Sequence, residues 1–361
     1  MSQQNPIFFT PGPAALFPSV EEHYREAFGL NLGSISHRSS TFRKIYQHTV
    51  EQLRELFNLP ASHAILFTGS ATEIWERVLM STVEHESFHL VNGSFSKKFL
   101  EFSKELHKFA HALQKPFGEG FDASEISVPE YAELICCTAN ETSSGVQMRS
   151  TEIHKLKRAN KNKFVMVDMV SSAPYTNLDY SLVDSAMFSV QKAFGMPAGL
   201  GVWFANEAIL AKSEQIKKNE GIVGTYHSLS SLWENYMKYE TPETPNVMAI
   251  YVLGKVAEDM NKIGIENIRK ETDKKASLLY DFAKKSDQFD IFVENENHRS
   301  ATVVVLNCQD LAGKVIDRLR EQAGMVLGAG YGKMKETQIR IANFPAADIS
   351  QIEALIENLK K

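Results

Sequence analysis

Short apolar runs recur along the first part of this chain, each followed by a polar loop and then by a helix-like stretch. AILF (64–67), FHLV (88–91), ELICCTA (133–139), KFVMVDM (163–169), SAMFSV (185–190) and GLGVWF (199–204) have the length of strands. They are too continuously apolar for strands wetted on one face, so they read as strands buried on both faces. Strands of this kind alternating with helices predict an α/β unit with a mostly parallel sheet, because a parallel neighbour needs a crossover that a helix supplies. Ahead of the first run, Phe42, Ile45, Thr49, Leu53, Leu56 and Phe57 fall on one helical face, with Ser40 or Thr41 as its N-cap.

The pattern changes at YETPETPN (239–246), where prolines and threonines mark a break. Beyond it come a long helix from Val247, a second from Glu266 to Lys285, a strand TVVVLN (302–307), a helix, a strand IRIA (339–342) and a last helix. Strands this sparse among helices predict a smaller α+β unit. The expected division is a large unit at 15–245 and a small one at 246–361. Residues 1–14, with the segment FFTPGPAAL, are expected to pack on the small unit or across the cleft.

Composition narrows the function classes. The 361 residues carry a net charge of −5, with 43% hydrophobic and 23% charged residues, ordinary values for a soluble globular chain of two domains. No basic field calls for nucleic acid, and the one dense basic run, KLKRANKNK (155–163), reads as a solvated helix end. Cys136, Cys137 and Cys308 form neither a CxxC pair nor a disulfide framework, which points to a reducing compartment. The N-terminus lacks the basic and apolar regions of a secretory leader, and no apolar run would span a bilayer. The expectation is a cytoplasmic protein with no membrane partner. HESFH (85–89) fits the HExxH zinc pattern, but its second His enters a strand-like run, where the two side chains would not share a helical face. No metal site is expected.

The polar loops carry the chemistry. TGSAT follows AILF, NGSFSKK follows FHLV, NETSSG follows ELICCTA, DMVSS follows KFVMV and QKAFG follows SAMFSV. Ligands of α/β sheets bind where the strands end. Gathered there, these loops would offer a phosphate cradle, an aromatic ring, a hydroxyl, the carboxylate of Asp168 and the amine of Lys192. Lys192 lies between an apolar run and the loop AFGMPAGLG, an odd place for a purely solvated charge. The set matches pyridoxal phosphate, whose aldehyde needs a lysine, whose ring nitrogen needs a carboxylate and whose phosphate suits a helix N-terminus. Arg340, in an apolar strand, needs an anionic partner if buried, either a structural carboxylate or a substrate's.

ISHRSSTF (35–42), NGSFSKK (92–98), NETSSGV (140–146), VDMVSS (167–172), the QK pair (191–192) followed by GMPAGLGV, and TPNVMAIYVLG (244–254) occur in the order seen in class V aminotransferases of fold type I, which the chain resembles over nearly its whole length. The likeness is greatest to the phosphoserine branch of that family. It implies the fold type I architecture, a large α/β/α domain with a mostly parallel sheet and a smaller α+β C-terminal domain. It also implies residue roles. Lys192 would hold pyridoxal 5'-phosphate through a Schiff base and move protons at the substrate α-carbon. Asp168 would pair with the ring nitrogen, Phe95 would stack on the ring and Thr142 would hydrogen-bond near its hydroxyl. Ser70, Ala71, Thr72 and Gln191 would hold the cofactor phosphate, with Thr244 reaching it from the partner subunit of a homodimer. His37 and Arg38 would bind the substrate's phosphate across the same interface, and Arg340 would grip the substrate carboxylate.

The implied activity is amino transfer between O-phospho-L-serine or 3-phosphohydroxypyruvate and glutamate or 2-oxoglutarate, as in serine biosynthesis. Some segments depart from that branch. The cradle reads TGSATE, closer to alanine–glyoxylate relatives, Ser144 stands where a His is common, and IRIANFPA and TPGPA are variants of the family's segments. The alternative is therefore alanine–glyoxylate or serine–pyruvate transamination.

Overall fold

The computed structural model describes residues 6–309 and 311–361. In chain order, strand β1 (Ile7–Phe9) precedes helices α1 (Val20–Gly29) and α2 (Ser40–Phe57). Then β2 (His63–Thr68), α3 (Ala71–Thr82), β3 (Glu86–Val91), α4 (Ser94–Glu105) and β4 (Phe109–Gln114) alternate. After β5 (Leu134–Thr138), a small antiparallel pair β6 (Asn140–Glu141) and β7 (Val146–Gln147) leads to α5 (Ser150–Ala159) and β8 (Phe164–Asp168). β9 (Ser185–Ser189), β10 (Gly201–Asn206), α6 (Glu207–Lys218) and α7 (Leu229–Tyr236) follow. Past the proline break come α8 (Val247–Ile263), α9 (Ile265–Ala283), β11 (Phe289–Ile291), β12 (Val303–Cys308), α10 (Ala312–Ala323), β13 (Met325–Ala329), β14 (Gln338–Ala342) and α11 (Ile349–Leu359).

The larger sheet has seven strands in the order β2-β10-β9-β8-β5-β3-β4. Its pairs from β9 to β4 are parallel, and only β10 runs against its neighbours β9 and β2. Each apolar run of the sequence is one of these strands. One strand escapes that reading. β4 (FAHALQ) is an edge strand with half-exposed positions, and its Phe109 is 64% exposed, so it lacks the continuous apolar signature of its buried neighbours.

Helices cover both faces. On one, α1, α2 and α8 pack over Ile65, Phe67, Val165, Val167, Phe188 and Phe204. On the other, α3, α6 and α7 pack over Leu66, Met166, Met187 and Trp203. The period-two alternation of side chains sends successive residues of each strand to opposite cores, which is why every position must be apolar. Helix α2 starts one residue earlier than expected: Ser39, not Ser40 or Thr41, is its N-cap and accepts from Phe42 N–H. The long helix α8 begins just after the proline break, yet its apolar face packs on α2 in the large core.

The second sheet has five strands in the order β1-β13-β14-β12-β11. Only the β1–β13 pair is parallel. Helices α9, α10 and α11 cover one face. Strands β11 and β13 were not expected; β13 (MVLGA) contains a Gly, and β11 is only a three-residue edge. Of the N-terminal segment 1–14, residues 1–5 lie outside the described residues, and the remainder touches both units. It adds β1 to this sheet, then crosses to the larger unit, where Ala14 N–H donates to the Gln191 carbonyl at 3.0 Å.

Candidate active site

The strands β3, β5, β8 and β9 run in one direction, so their carboxyl ends share an edge of the sheet. β2 joins them there, because two antiparallel pairings through β10 restore the direction. Every loop singled out in the sequence opens on that edge, and the second sheet faces it with β14.

Asp168 ends β8 and is buried. Its Oδ1 accepts from Val170 N–H at 2.9 Å and its Oδ2 from the Trp75 indole N–H at 3.1 Å. Burial pushes its carboxyl up to about 7, against the pull of the Val170 amide; Glu141 adds to the rise, while Trp75 and Lys192 oppose it. Ion-pair distance holds no cation to this carboxylate among the described residues, an expensive arrangement unless a positive group sits against it.

Lys192 lies in the turn between β9 and β10. Its Nζ donates to the Pro11 carbonyl at 2.5 Å and lies 6.0 Å from the centre of the Phe95 ring. Burial and the nearby Arg340 charge lower its amine to about 8, with Asp168 acting in the opposite sense. An amine in that range is about one-tenth neutral at pH 7, far more than an ordinary lysine, and the neutral form is what a nucleophile or proton acceptor requires. The approach of the N-terminal segment depends on Gly12. Its φ is +139°, and a Cβ there would lie 2.3 Å from Lys192 Nζ.

Arg340 projects from β14. Its Nε donates to the Ala329 carbonyl at 2.7 Å and Nη1 to the Thr142 carbonyl at 3.3 Å, with the guanidinium 5.4 Å from the Tyr331 ring. Its partners are thus carbonyls and a ring, and among the described residues no carboxylate pairs with it. Among the described residues the structural carboxylate weighed from the sequence is not at ion-pair distance; Glu141 acts on the guanidinium only from further away. Tyr331 also meets Phe95, ring centroids 5.5 Å apart, so one wall of the site is aromatic.

Ser70, Ala71 and Thr72 form the start of α3. Ser70 is its N-cap, accepting from Glu73 N–H at 3.2 Å, and the first-turn amides of a helix, which have no partner within it, suit an anion. Gln191 lies beside it, its side-chain oxygen accepting from Ser189 Oγ at 2.6 Å. Helix α3 ties cradle to carboxylate, since it carries Trp75 one turn on. Thr142 is buried and donates to Ser171 Oγ at 2.7 Å, and Ser171 in turn bonds Asn140.

Asp168, Lys192, Phe95, Thr142, Gln191, Arg340 and the Ser70–Thr72 turn therefore converge. His37, Arg38 and Thr244 make no hydrogen bond to these groups among the described residues, although Glu243, next to Thr244, reaches Glu73 of α3 through His227. Arg38 donates instead to Glu240 at 2.5 Å and to Asn235 at 3.2 Å, and Glu240 also holds Arg43 at 2.5 Å. Two guanidiniums on one carboxylate leave net positive charge beside the exposed Thr244.

The sequence reading missed Trp75, Glu141, Tyr331 and Pro11. Glu141 is fully buried and accepts from Ser96 N–H at 2.9 Å, Ser96 Oγ at 2.8 Å and Ser143 Oγ at 2.6 Å, so its carboxylate caps α4 and seats Phe95. Gly93 makes this possible, since a Cβ there would lie 2.2 Å from Glu141 Cγ. An acid inside the buried NET turn was a usable signal; the contacts of Tyr331 and Pro11 are long-range and left none. In HESFH, His89 lies on β3, buried with its imidazole lowered to about 3, chiefly by that burial, while His85 precedes the strand. Among the described residues no group of three or more His, Cys, Asp or Glu side chains is placed to hold a metal ion, and no helix is long and apolar enough to cross a membrane.

The family model for class-V aminotransferases matches residues 119–335. The chain belongs to the class-V aminotransferase family. The solved structure of a phosphoserine aminotransferase from Cytophaga hutchinsonii is 46% identical, with a TM-score of 0.97 over 99% of this chain and 98% of that one. The phosphoserine aminotransferase of Corynebacterium glutamicum is 27% identical over 96% of this chain and 92% of its own length. An alanine–glyoxylate aminotransferase from Nostoc is 17% identical, with a TM-score of 0.86 over 100% of this chain and 96% of that one, a likeness of fold.

The cofactor of this aminotransferase is pyridoxal 5'-phosphate, and its residues fit that group. The buried Asp168 needs a cation, which a protonated ring nitrogen is. The Lys192 amine is buried and easily neutral. The α3 N-terminus offers amides to a phosphate, and Phe95 and Tyr331 offer aromatic surface to a flat ring.

Proposed function

We propose that this aminotransferase moves the amino group between O-phospho-L-serine and 2-oxoglutarate, giving 3-phosphohydroxypyruvate and glutamate, with the cellular flow running towards phosphoserine in serine biosynthesis. The observation that carries this reading is Arg340, a partly buried guanidinium beside Lys192 that no carboxylate of the described residues pairs at ion-pair distance. A planar fork so placed suits the α-carboxylate common to both amino acids and both oxo acids. The names borne by the Cytophaga and Corynebacterium relatives support the phosphorylated substrate.

Bound here, pyridoxal phosphate supplies an electron-withdrawing ring that takes up the electron pair left when the substrate's α-C–H bond breaks. The protein does the rest. Asp168 holds a proton at the ring nitrogen, and Trp75 and Val170 hold Asp168. Arg340 fixes the substrate carboxylate and thereby the α-carbon. Lys192 would take the proton from that carbon and, in the second half of the exchange, deliver a proton to the α-carbon of the amino acid formed from the oxo acid, a general acid–base whose buried amine is poised for the task. Phe95, seated by Glu141, covers the ring. Gln191 and the Ser70–Thr72 turn hold the cofactor phosphate, with Thr142 near the ring hydroxyl.

His37, Arg38 and Thr244 act, in this reading, in the site of a second copy. The cluster of Arg38 and Arg43 on Glu240 keeps excess positive charge for the substrate's phosphate, and the homodimer brings it to the partner's Arg340 end of the cleft. The aminotransferase then works in the cytoplasm as a dimer with shared sites.

Arg38→Ala tests the substrate. Its kcat/KM for phosphoserine should fall on the order of a hundredfold, the loss of a charge-assisted contact to a phosphate, while that for alanine changes by less than about threefold. Equal loss for both amino acids, or none for either, would favour a small unphosphorylated substrate of the alanine–glyoxylate type.

A further inference from the structure

His227 lies in the link between α6 and α7, its side chain 6% exposed. Its Nδ1 meets a Glu73 oxygen, and its Nε2 lies 3.0 Å from Glu243 Oε2. A neutral imidazole has one N–H; carboxylates at both nitrogens are satisfied only by the cation. Glu73 is in the first turn of α3, inside the candidate cradle, and its other oxygen accepts from Gly69 N–H at 3.0 Å. That amide belongs to the TGSAT loop, where a phosphate would otherwise compete for it. Glu243 immediately precedes Thr244.

An uncompensated carboxylate would repel the cofactor's phosphate from such a loop. We infer that His227 is a positioning residue for the phosphate cradle: as a cation clamped between Glu73 and Glu243, it neutralises the carboxylate bonded to Gly69 and ties the cradle to the segment that bears Thr244. The inference rests on the cradle reading given above. The groups facing this imidazole are Glu73 and, 3.8 Å from Glu73, Arg77 from α3, Glu243 from the 239–246 segment, and the neighbouring Tyr226 ring. Arg77 divides its charge with Glu76 at 3.1 Å, so it does not replace His227. Burial disfavours the His227 cation, but the Glu243 and Glu73 bonds outweigh it and carry the imidazole up to about 9. The clamp is therefore complete below neutral pH and is lost as pH rises through about 9.

The test is equilibrium binding of pyridoxal phosphate, and separately of unphosphorylated pyridoxal, to the full chain stripped of cofactor. His227→Gln should weaken pyridoxal phosphate about tenfold or more and pyridoxal less than about twofold, because the added repulsion acts on the phosphate. The double variant Glu73→Gln with His227→Gln removes the stranded charge and should restore affinity to within about threefold of the wild type. A merely structural His227 would weaken both ligands alike, and the double variant would be no better than the single; either result overturns the inference. If His227→Gln does not fold, the wild type decides. Its preference for pyridoxal phosphate over pyridoxal should shrink as pH passes about 9, and a constant preference would overturn the inference. Wild-type protein that binds pyridoxal as tightly as pyridoxal phosphate would sink the cradle reading itself. A phosphate-selective wild type with a phosphate-selective His227→Gln of equal affinity would sink only the role of His227.

Discussion

Lys192→Ala should abolish transamination while leaving a folded protein. The turnover number falls by roughly ten-thousandfold or more, the upper end of what a positioned general acid–base contributes. Two functions are lost together, the attachment of the cofactor and the proton transfer at the substrate α-carbon. The fold should survive, because among the described residues Lys192 makes a single side-chain hydrogen bond, to the Pro11 carbonyl, and its charge is already disfavoured by burial. Removing it leaves that carbonyl without its partner, costing about 1–3 kcal/mol. The variant should still take up pyridoxal phosphate, since the α3 N-terminus and Asp168 remain, but without the absorption of the lysine-bound cofactor. Product assay and mass spectrometry of the loaded protein check this. Retained turnover would remove Lys192 from the mechanism.

Asp168→Asn should cost on the order of a hundred- to a thousandfold in kcat, comparable to removing one preorganised electrostatic partner from an active site. An amide cannot hold a proton at the ring nitrogen by charge. It also fits the local bonds badly. If its oxygen accepts from Val170 N–H, its NH2 faces the Trp75 indole N–H, donor against donor. The same substitution has a signature without cofactor. Burial raises the carboxyl from the usual aspartate range to about 7. The folded chain then binds a proton that the unfolded chain has released, so stability falls as pH rises from about 4 towards 7. Asp168→Asn should flatten that part of the stability curve, measured by urea unfolding of the cofactor-free protein across this range. An unchanged slope would mean that Asp168 is not the group responsible.

What was legible in the sequence follows from burial. Strands sealed on both faces, such as FVMVD and SAMFS, announce themselves by unbroken apolar character, and the polar residues at their ends become conspicuous. Asp168 and Lys192 were found that way. β4 was hidden because an edge strand can be half polar, and β13, as long as β8 or β9, because its glycine and half-buried positions break the apolar run. Trp75 read as core on an amphipathic helix, which it also is; its indole N–H bond to Asp168 is a tertiary fact with no local trace. Pro11 and Tyr331 reach the site from opposite ends of the chain and only through the second sheet. Arg38 shows the converse. Its motif was visible, but its tie to Glu240 was not, and that tie decides how much charge it can offer a phosphate.

The most direct measurement is the absorption spectrum of the purified, cofactor-loaded protein before and after adding phosphoserine, with alanine and serine in parallel. The account predicts a visible band that phosphoserine bleaches, with absorption appearing where the aminated cofactor absorbs, and little response to alanine or serine. A visible band that ignores phosphoserine and answers alanine would keep Lys192 in its role and contradict the substrate. A protein that takes up no pyridoxal phosphate and stays colourless would contradict the account at its centre.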